Sequence, residues 1–389
     1  MSKVVINETT LTNIGAAIRE KTGKTDLIAP GDMPAEIRAI ESGGGGGIEV
    51  DPVVLTGDCT NACGGAMAGN YIKLFGDTVS TKNISSASNM FNGYTLSTVP
   101  FDINFETKTG EYGTTVSGMF QNSDIVTAPN IKNLHIGRNG CNVMFQACHH
   151  LKHFPEGFGS DWVINGEGIA SYAYTALGRC FTECAVLEEL PTEAFYPIWK
   201  HNNSTSSTYS PYNYAFNLCL RLRRVENIPV VPATYTSNVF SNTVYQACML
   251  EHFTFETNED GTPKTANWKS QTIDFATTVG YNGQSVNKLY VTDVPYEESG
   301  FTDDLKVASA ADYERLKDAD WWGANITESR FGYPGAVALI NSLPDCSATG
   351  TNTVKFKGTM GQNTVGAINQ LTEEEIAVAA AKGWTVTLS

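Results

Sequence analysis

One short pattern recurs through the middle of this chain, and internal repetition constrains a fold more tightly than any isolated motif. Phe145, Cys148, Leu151, Phe154 and Pro155 recur as Phe181, Cys184, Leu187, Leu190 and Pro191, and again as Phe216, Cys219, Leu222 and Val225. Shorter copies flank these three. Phe91 leads to Tyr94, Leu96, Val99 and Pro100; Phe120 leads to Ser123, Ile125, Ala128 and Pro129; Tyr245 leads to Cys248, Leu250 and Phe253. The six lead aromatics are separated by 29, 25, 36, 35 and 29 residues. A fixed core with padding of variable length suits a solenoid, in which the core turn stacks and the padding loops outward. Each copy is too small to bury its apolar side alone. Stacking would place aromatic on aromatic, cysteine on cysteine and leucine on leucine. Each large side chain so buried contributes roughly 1.5–3 kcal/mol before entropy is charged. Proline after the last apolar residue ends the turn, because it carries no N–H.

The run MFQACHHLKHFP (144–155), echoed in CFTECAVLEELP (180–191), resembles the BspA-like leucine-rich repeats. The resemblance covers roughly residues 81–298. Members of that family are largely surface-exposed or virion-associated binding proteins, and the resemblance implies the same class here. The expected fold is therefore α+β: an irregular leucine-rich-repeat-like solenoid (81–298) between two end pieces.

Before the solenoid, residues 1–42 read as a small helical attachment segment. Leu11, Ile14 and Ile18 share one helical face, with Thr10 placed to cap it and Gly23 to end it. Asp32 is placed to cap a second helix carrying Met33, Ile37 and Ile40. So small a pair must dock on something. The string IGAAIREKTGKTDLIAPGDMPAEIRAI (14–40) resembles the N-terminal segment of bacteriophage tail-fibre and minor structural proteins. That resemblance implies attachment to other virion proteins through this segment, and a homotrimer. Residues 43–47 are a glycine linker, and 48–80 are expected to cap the solenoid. Residues 299–389 read as a C-terminal strand–helix–strand cap. Ala310–Lys317 looks helical, Val337, Ile340 and Leu343 repeat a helical spacing, Val354 and Phe356 alternate as a strand, and Thr372 with Glu375 forms a capping box. The helix stops at Gly383, and Trp384, Val386 and Leu388 alternate as a last strand. The piece LTEEEIAVAAAKGWTVT (371–387) resembles the closing segment of phage proteins with such repeats.

Charge narrows the partners. Lys and Arg number 26 against 41 Asp and Glu, a net charge of −15, with no basic run. Phosphate backbones and anionic membrane surfaces need clustered cations, so neither nucleic acid nor membrane is an expected partner. The N-terminus reads as lacking a secretory signal. Nine cysteines cannot all pair within one chain. Cys59 and Cys63 are four apart, as are Cys180 and Cys184, which is not the spacing of a zinc ribbon or redox pair. Most are expected to be small, buried and reduced.

Sequence motifs for phosphate binding, serine hydrolysis and zinc proteolysis are missing from the chain. His149, His150 and His153 fall at positions expected to face solvent, and no metal or other cofactor is expected. Asn258–Gly261 reads as a tight turn, since it lacks the spaced acids of a calcium loop. Recognition is expected on the padding. Trp162, Tyr172 and Tyr174 lie in one insert; Trp199, His201, Tyr209 and Tyr212 lie in the next, among Asn and Ser. Rigid aromatics with adaptable polar neighbours suit a host cell-surface glycan or protein. The alternative is that these rings pack the loops onto the solenoid or onto a neighbouring subunit. The sequence reads as a non-enzymatic virion structural protein, a tail-fibre or baseplate appendage that binds a host surface, made in the host cytoplasm and carried in the particle. The competing readings are a head fibre or decoration protein without receptor contact, a bacterial surface adhesin, and a glycan-degrading enzyme.

Overall fold

The chain forms two compact units, residues 1–53 and 54–389. The computed structural model describes residues 52–65, 71–73, 76–105, 116–136, 140–164, 179–200, 212–231, 234–245, 250–276, 331–361 and 366–389, with Ala16, Arg19 and Ala247. Ala16 and Arg19 are helical; Leu11, Ile14, Ile18, Met33, Ile37 and Ile40 lie outside the described residues, as does the helix expected at 310–317. The second unit is α+β, with short helices beside small parallel sheets. Among the described residues no helix is long and apolar enough to cross a membrane.

The repeating element is a tight seven-residue turn, and backbone geometry defines it better than side chains do. Counting from the lead residue as zero, the residues at −2 are Asn61, Asn89, Gly118, Val143, Arg179, Tyr214 and Asn242. Those at +2 are Gly65, Gly93, Asn122, Ala147, Glu183 and Leu218. All thirteen have φ between 49° and 78°. This left-handed conformation lets alternate amides point in opposite senses. In the turn led by Phe91, the N–H groups of Asn89, Phe91 and Gly93 donate to the carbonyls of Ser117, Met119 and Gln121 in the next turn, at 2.9, 2.7 and 2.9 Å. The amides between them, of Met90, Asn92 and Tyr94, close internal three-residue turns onto Ala87, Asn89 and Phe91. Every amide of the turn thus has a partner, as a buried backbone requires.

Bonding in this register superposes like positions. Phe91, Phe120, Phe145 and Phe181 lie ring on ring, with centroids 5.1, 5.3 and 6.0 Å apart and planes within 7° of parallel. The cysteines form a second column. Cys148, Cys184 and Cys219 each donate Sγ–H to the carbonyl of the lead phenylalanine one turn back, Phe120, Phe145 and Phe181, at 2.9, 3.2 and 3.0 Å. Leu151, Leu187 and Leu222 are buried beside them. The eight described cysteines are all free and buried.

Two expectations about this repeat are corrected. The last described turn is led by Val244 and not Tyr245. Phe216 donates to Thr243 and Leu218 to Tyr245, which sets Phe216 opposite Val244. Val244, Ala247, Leu250 and Phe253 are buried, and Tyr245 is only half-buried. With that register the copy has full length, with Ala247 at the position that cysteine holds in the other full copies; Cys248 lies outside the described residues. There is also an earlier turn, led by Cys63, whose Asn61, Cys63 and Gly65 donate to Ser88, Met90 and Asn92. The stretch expected to cap the column therefore begins within it.

After each turn the chain returns along a parallel path. Strands β1 (Val53–Asp58) and β2 (Val79–Ser86) pair with each other. Further along, β3 (Ile103–Asn104) pairs with β4 (Ile131–Lys132), β5 (His135–Ile136) with β6 (Val163–Ile164), and β7 (Arg224–Ile228) with β8 (His252–Phe255), all parallel. Parallel pairing is forced, because every return runs in the same direction. Helix α1 (Thr192–Lys200) interrupts this series.

At the far end, β9 (Thr272–Asp274), β10 (Asn352–Phe356) and β11 (Trp384–Leu388) form a parallel sheet in the order β11-β10-β9. Helices α2 (Tyr333–Ser342) and α3 (Glu373–Ala381) accompany it, and α3 carries the Thr372–Glu375 capping box. Gly335 of α2 packs so close to β8 that a Cβ there would lie 2.4 Å from the Glu251 carbonyl. Two fully buried amides seal the junction. Gln271 Oε1 accepts from the Val239 N–H, and Asn352 Oδ1 accepts from the Gln271 N–H. Asn258–Gly261 is a tight turn, with Gly261 N–H donating to Asn258 O at 2.9 Å.

Two predictions follow from the turn. Val143 is a β-branched residue at φ 49°, a conformation costing roughly 1–2 kcal/mol for most side chains; Asn holds the same position in three other turns. Val143→Asn should raise stability by about 1 kcal/mol in urea unfolding, and an unchanged or lower midpoint would contradict the strain. Burial pushes the Cys63 and Cys148 thiols up to about 12. Above about pH 9 an unfolded thiol loses its proton and a folded one keeps it, so stability falls with rising pH by about 1.4 kcal/mol per unit for each such thiol. The melting temperature should hold between pH 7 and 8.5 and drop steeply from pH 9 to 11.

Candidate functional site

The return path is closed by parallel hydrogen bonds on both sides of α1 and opens where α1 stands. On one side, His153 accepts from Ala128 N–H and donates to Val126 O, flanking Thr127 in parallel. On the other, β7 pairs with β8. Between residues 152–155 and 188–191 there is no backbone hydrogen bond among the described residues. Paired strands sit about 4.8 Å apart, whereas a helix with its side chains is about 10 Å wide. A helix placed in the series therefore holds its neighbours apart. The opening is a cleft of about 360 Å³ between Lys152–Phe158 and Glu189–Glu193. A smaller depression, about 280 Å³, lies between Ile72–Lys73 and Leu96–Pro100.

The sequence of α1 explains its seat. Ala194, Phe195, Ile198 and Trp199 form its buried face, Glu193 opens it and Lys200 closes it, matching the helix dipole. Pro197 interrupts its hydrogen bonding. Gly159, at φ 80°, is where the helix meets the preceding return; a Cβ there would stand 2.3 Å from that of Ala194. Phe195 meets Phe181 edge-on at 5.0 Å and Trp162 at 5.7 Å. Phe158 links Phe154 and Trp162, each at 5.0 Å. This aromatic group joins the wall of the cleft to the phenylalanine column.

Of the rings expected to contact a receptor, Trp162 is half-buried, with its indole N–H donated to Ile131 O at 2.8 Å. Trp199 and Tyr212 are corrected: both are 1 % exposed and belong to the core. Trp199 meets Phe216 edge-on at 6.0 Å. Tyr212 stacks on Phe240 at 4.6 Å, and its hydroxyl donates to Pro229 O and accepts from Val231 N–H. Amphipathic rings close to a repeat core are drawn into it when the turn places them on the inner face. Tyr172, Tyr174, His201 and Tyr209 lie outside the described residues.

The histidines do not converge. His150 is buried, contrary to expectation; His149 Nε2 lies 3.5 Å from Glu183 Oε2; and His153 is exposed at the cleft. Among the described residues no group of three His, Cys, Asp or Glu is placed to hold a metal ion. Carboxylates dominate the cleft charge. Glu189 and Glu193 line it and are exposed, against Lys152 and His153. Neighbouring Glu188 is paired with the buried Arg221 at 2.8 Å. Sequence reasoning placed recognition on the inserts and passed over this cleft. The signal was present: the threonine–glutamate start and amphipathic spacing of 192–200 mark a helix where the other copies have strands.

No family model matches the chain, and no curated protein or solved structure matches it.

If Trp199 is core rather than contact surface, Trp199→Ala should cost roughly 3–5 kcal/mol of stability, read from urea unfolding. A variant as stable as the parent would return Trp199 to the surface.

Proposed function

We propose that the chain is a non-enzymatic virion structural protein, a tail-fibre or baseplate appendage that contacts the host surface through an irregular leucine-rich-repeat-like solenoid. The observation that carries this reading is the seven-turn register. Core turns of fixed size bond one to the next, and all variation in length, from 25 to 36 residues per step, falls in the padding between them. Such a column is a rigid support that tolerates changing loops, the property a surface-recognition protein needs. The N-terminal resemblance to tail-fibre proteins supplies the place, with residues 1–42 as the attachment segment to other virion proteins. The padding loops and the cleft beside α1 supply surfaces for a cell-surface glycan or protein.

The test uses antibodies raised against the full chain. On purified phage particles they are expected to label the tail tip or baseplate and to block adsorption to host cells. Labelling on the head without effect on adsorption would replace this reading with a head fibre or decoration protein; labelling of uninfected bacteria would replace it with an adhesin. Sedimentation of the purified protein should show an assembly of three 42.0 kDa chains, and a single-chain species would remove the trimer.

A further inference from the structure

We propose that the cleft beside α1 binds an extended polypeptide carrying basic side chains, held by backbone pairing to the open edge at Phe154. Three observations converge on this. The first is the edge. His153 turns both its N–H and its C=O toward the preceding return. The Lys152 N–H points the same way, to the Val126 carbonyl, whereas the N–H and C=O of Phe154, which lines the cleft, make no backbone hydrogen bond among the described residues. On the opposite wall, the amides of Glu189 and Leu190 donate no backbone hydrogen bond among the described residues. Unpaired backbone donors and acceptors along an edge are what an added strand requires. The second is the lining. Phe154, Phe158 and Leu190 offer apolar contact between the polar groups, suiting alternate side chains of a strand. The third is charge: Glu189 and Glu193, with exposed Glu156 just outside, outweigh Lys152 and His153. A glycan would use the rings and carboxylates but would leave the backbone edge unpaired.

The probe is a fluorescein-labelled hexapeptide of alternating lysine and valine, blocked at both ends, titrated with the full-length protein and read by fluorescence anisotropy. Saturable binding is expected. Methylating alternate backbone nitrogens should weaken it at least about tenfold, as loss of backbone hydrogen bonds implies. The double variant E189Q/E193Q should weaken it by a similar factor while keeping the parent melting temperature. No binding at millimolar protein overturns the proposal, as does equal affinity for the methylated peptide, which would indicate charge attraction alone. Unchanged affinity of the double variant would place the site elsewhere. Displacement by an uncharged chitin tetrasaccharide, with no methylation effect, would assign the cleft to glycan.

Discussion

The structure depends on a pair of left-handed residues set four apart, seen in the six turns led by Cys63 to Phe216. Without them the alternate amides could not leave the turn along the column, and successive turns would have no register. With them, the three hydrogen bonds of Asn89, Phe91 and Gly93 recur in the turns led by Cys63, Phe120 and Phe216, and two of the three in those led by Phe145 and Phe181, and the stacking of rings and thiols follows as a consequence. Packing then rewards the register strongly, since a slip would take phenylalanine off phenylalanine and leave the Cys184 thiol without the Phe145 carbonyl. The first three described turns place Asn or Gly at both positions: Asn61 and Gly65, Asn89 and Gly93, Gly118 and Asn122. The next three turns impose the same backbone on Val143, Ala147, Arg179, Glu183, Tyr214 and Leu218, where neighbours on both sides supply bonding to hold it. Arg179 illustrates the compensation, with its guanidinium 4.7 Å over the Tyr214 ring.

Side-chain periodicity made the central turns readable, because Phe145, Phe181 and Phe216 are large, identical and correctly spaced. It misled where the lead residue is not aromatic. Tyr245 attracted the alignment away from Val244, and Cys63 escaped notice. Backbone chemistry would have found both. Cys59–Gly65 and Ala87–Gly93 share Asn and Gly four apart, and Asn242 marks the Val244 turn two residues ahead. The C-terminal strands and the α3 capping box were legible because their signals are local. The openness of the ladder beside α1 was not legible, since it arises from the width of a helix among strands and from contacts made through Gly159.

Placing a helix in one return has a structural cost and a structural gain. The cost is the lost pairing between residues 152–155 and 188–191. Dense aromatic contact offsets it: Phe195 reaches the phenylalanine column, and Trp199 does the same for Phe216. The gain is a concave surface on an otherwise regular edge, bordered by the two longest steps in the repeat. Padding and cleft thus fall on the same part of the column, which concentrates chemical variety there and leaves the terminal turns regular.

The turn-to-turn bonds also give the molecule a direction. In every pair of turns the donor lies nearer the N-terminal end and the acceptor nearer the C-terminal end. The peptide dipoles of the turn face therefore add instead of cancelling, much as they do in a helix. Among the described residues, the carbonyls of Thr60, Ala62 and Gly64 in its first described turn accept no backbone hydrogen bond, so the acceptor end of this dipole row lies there. A segment that covers that end needs N–H or O–H groups to give.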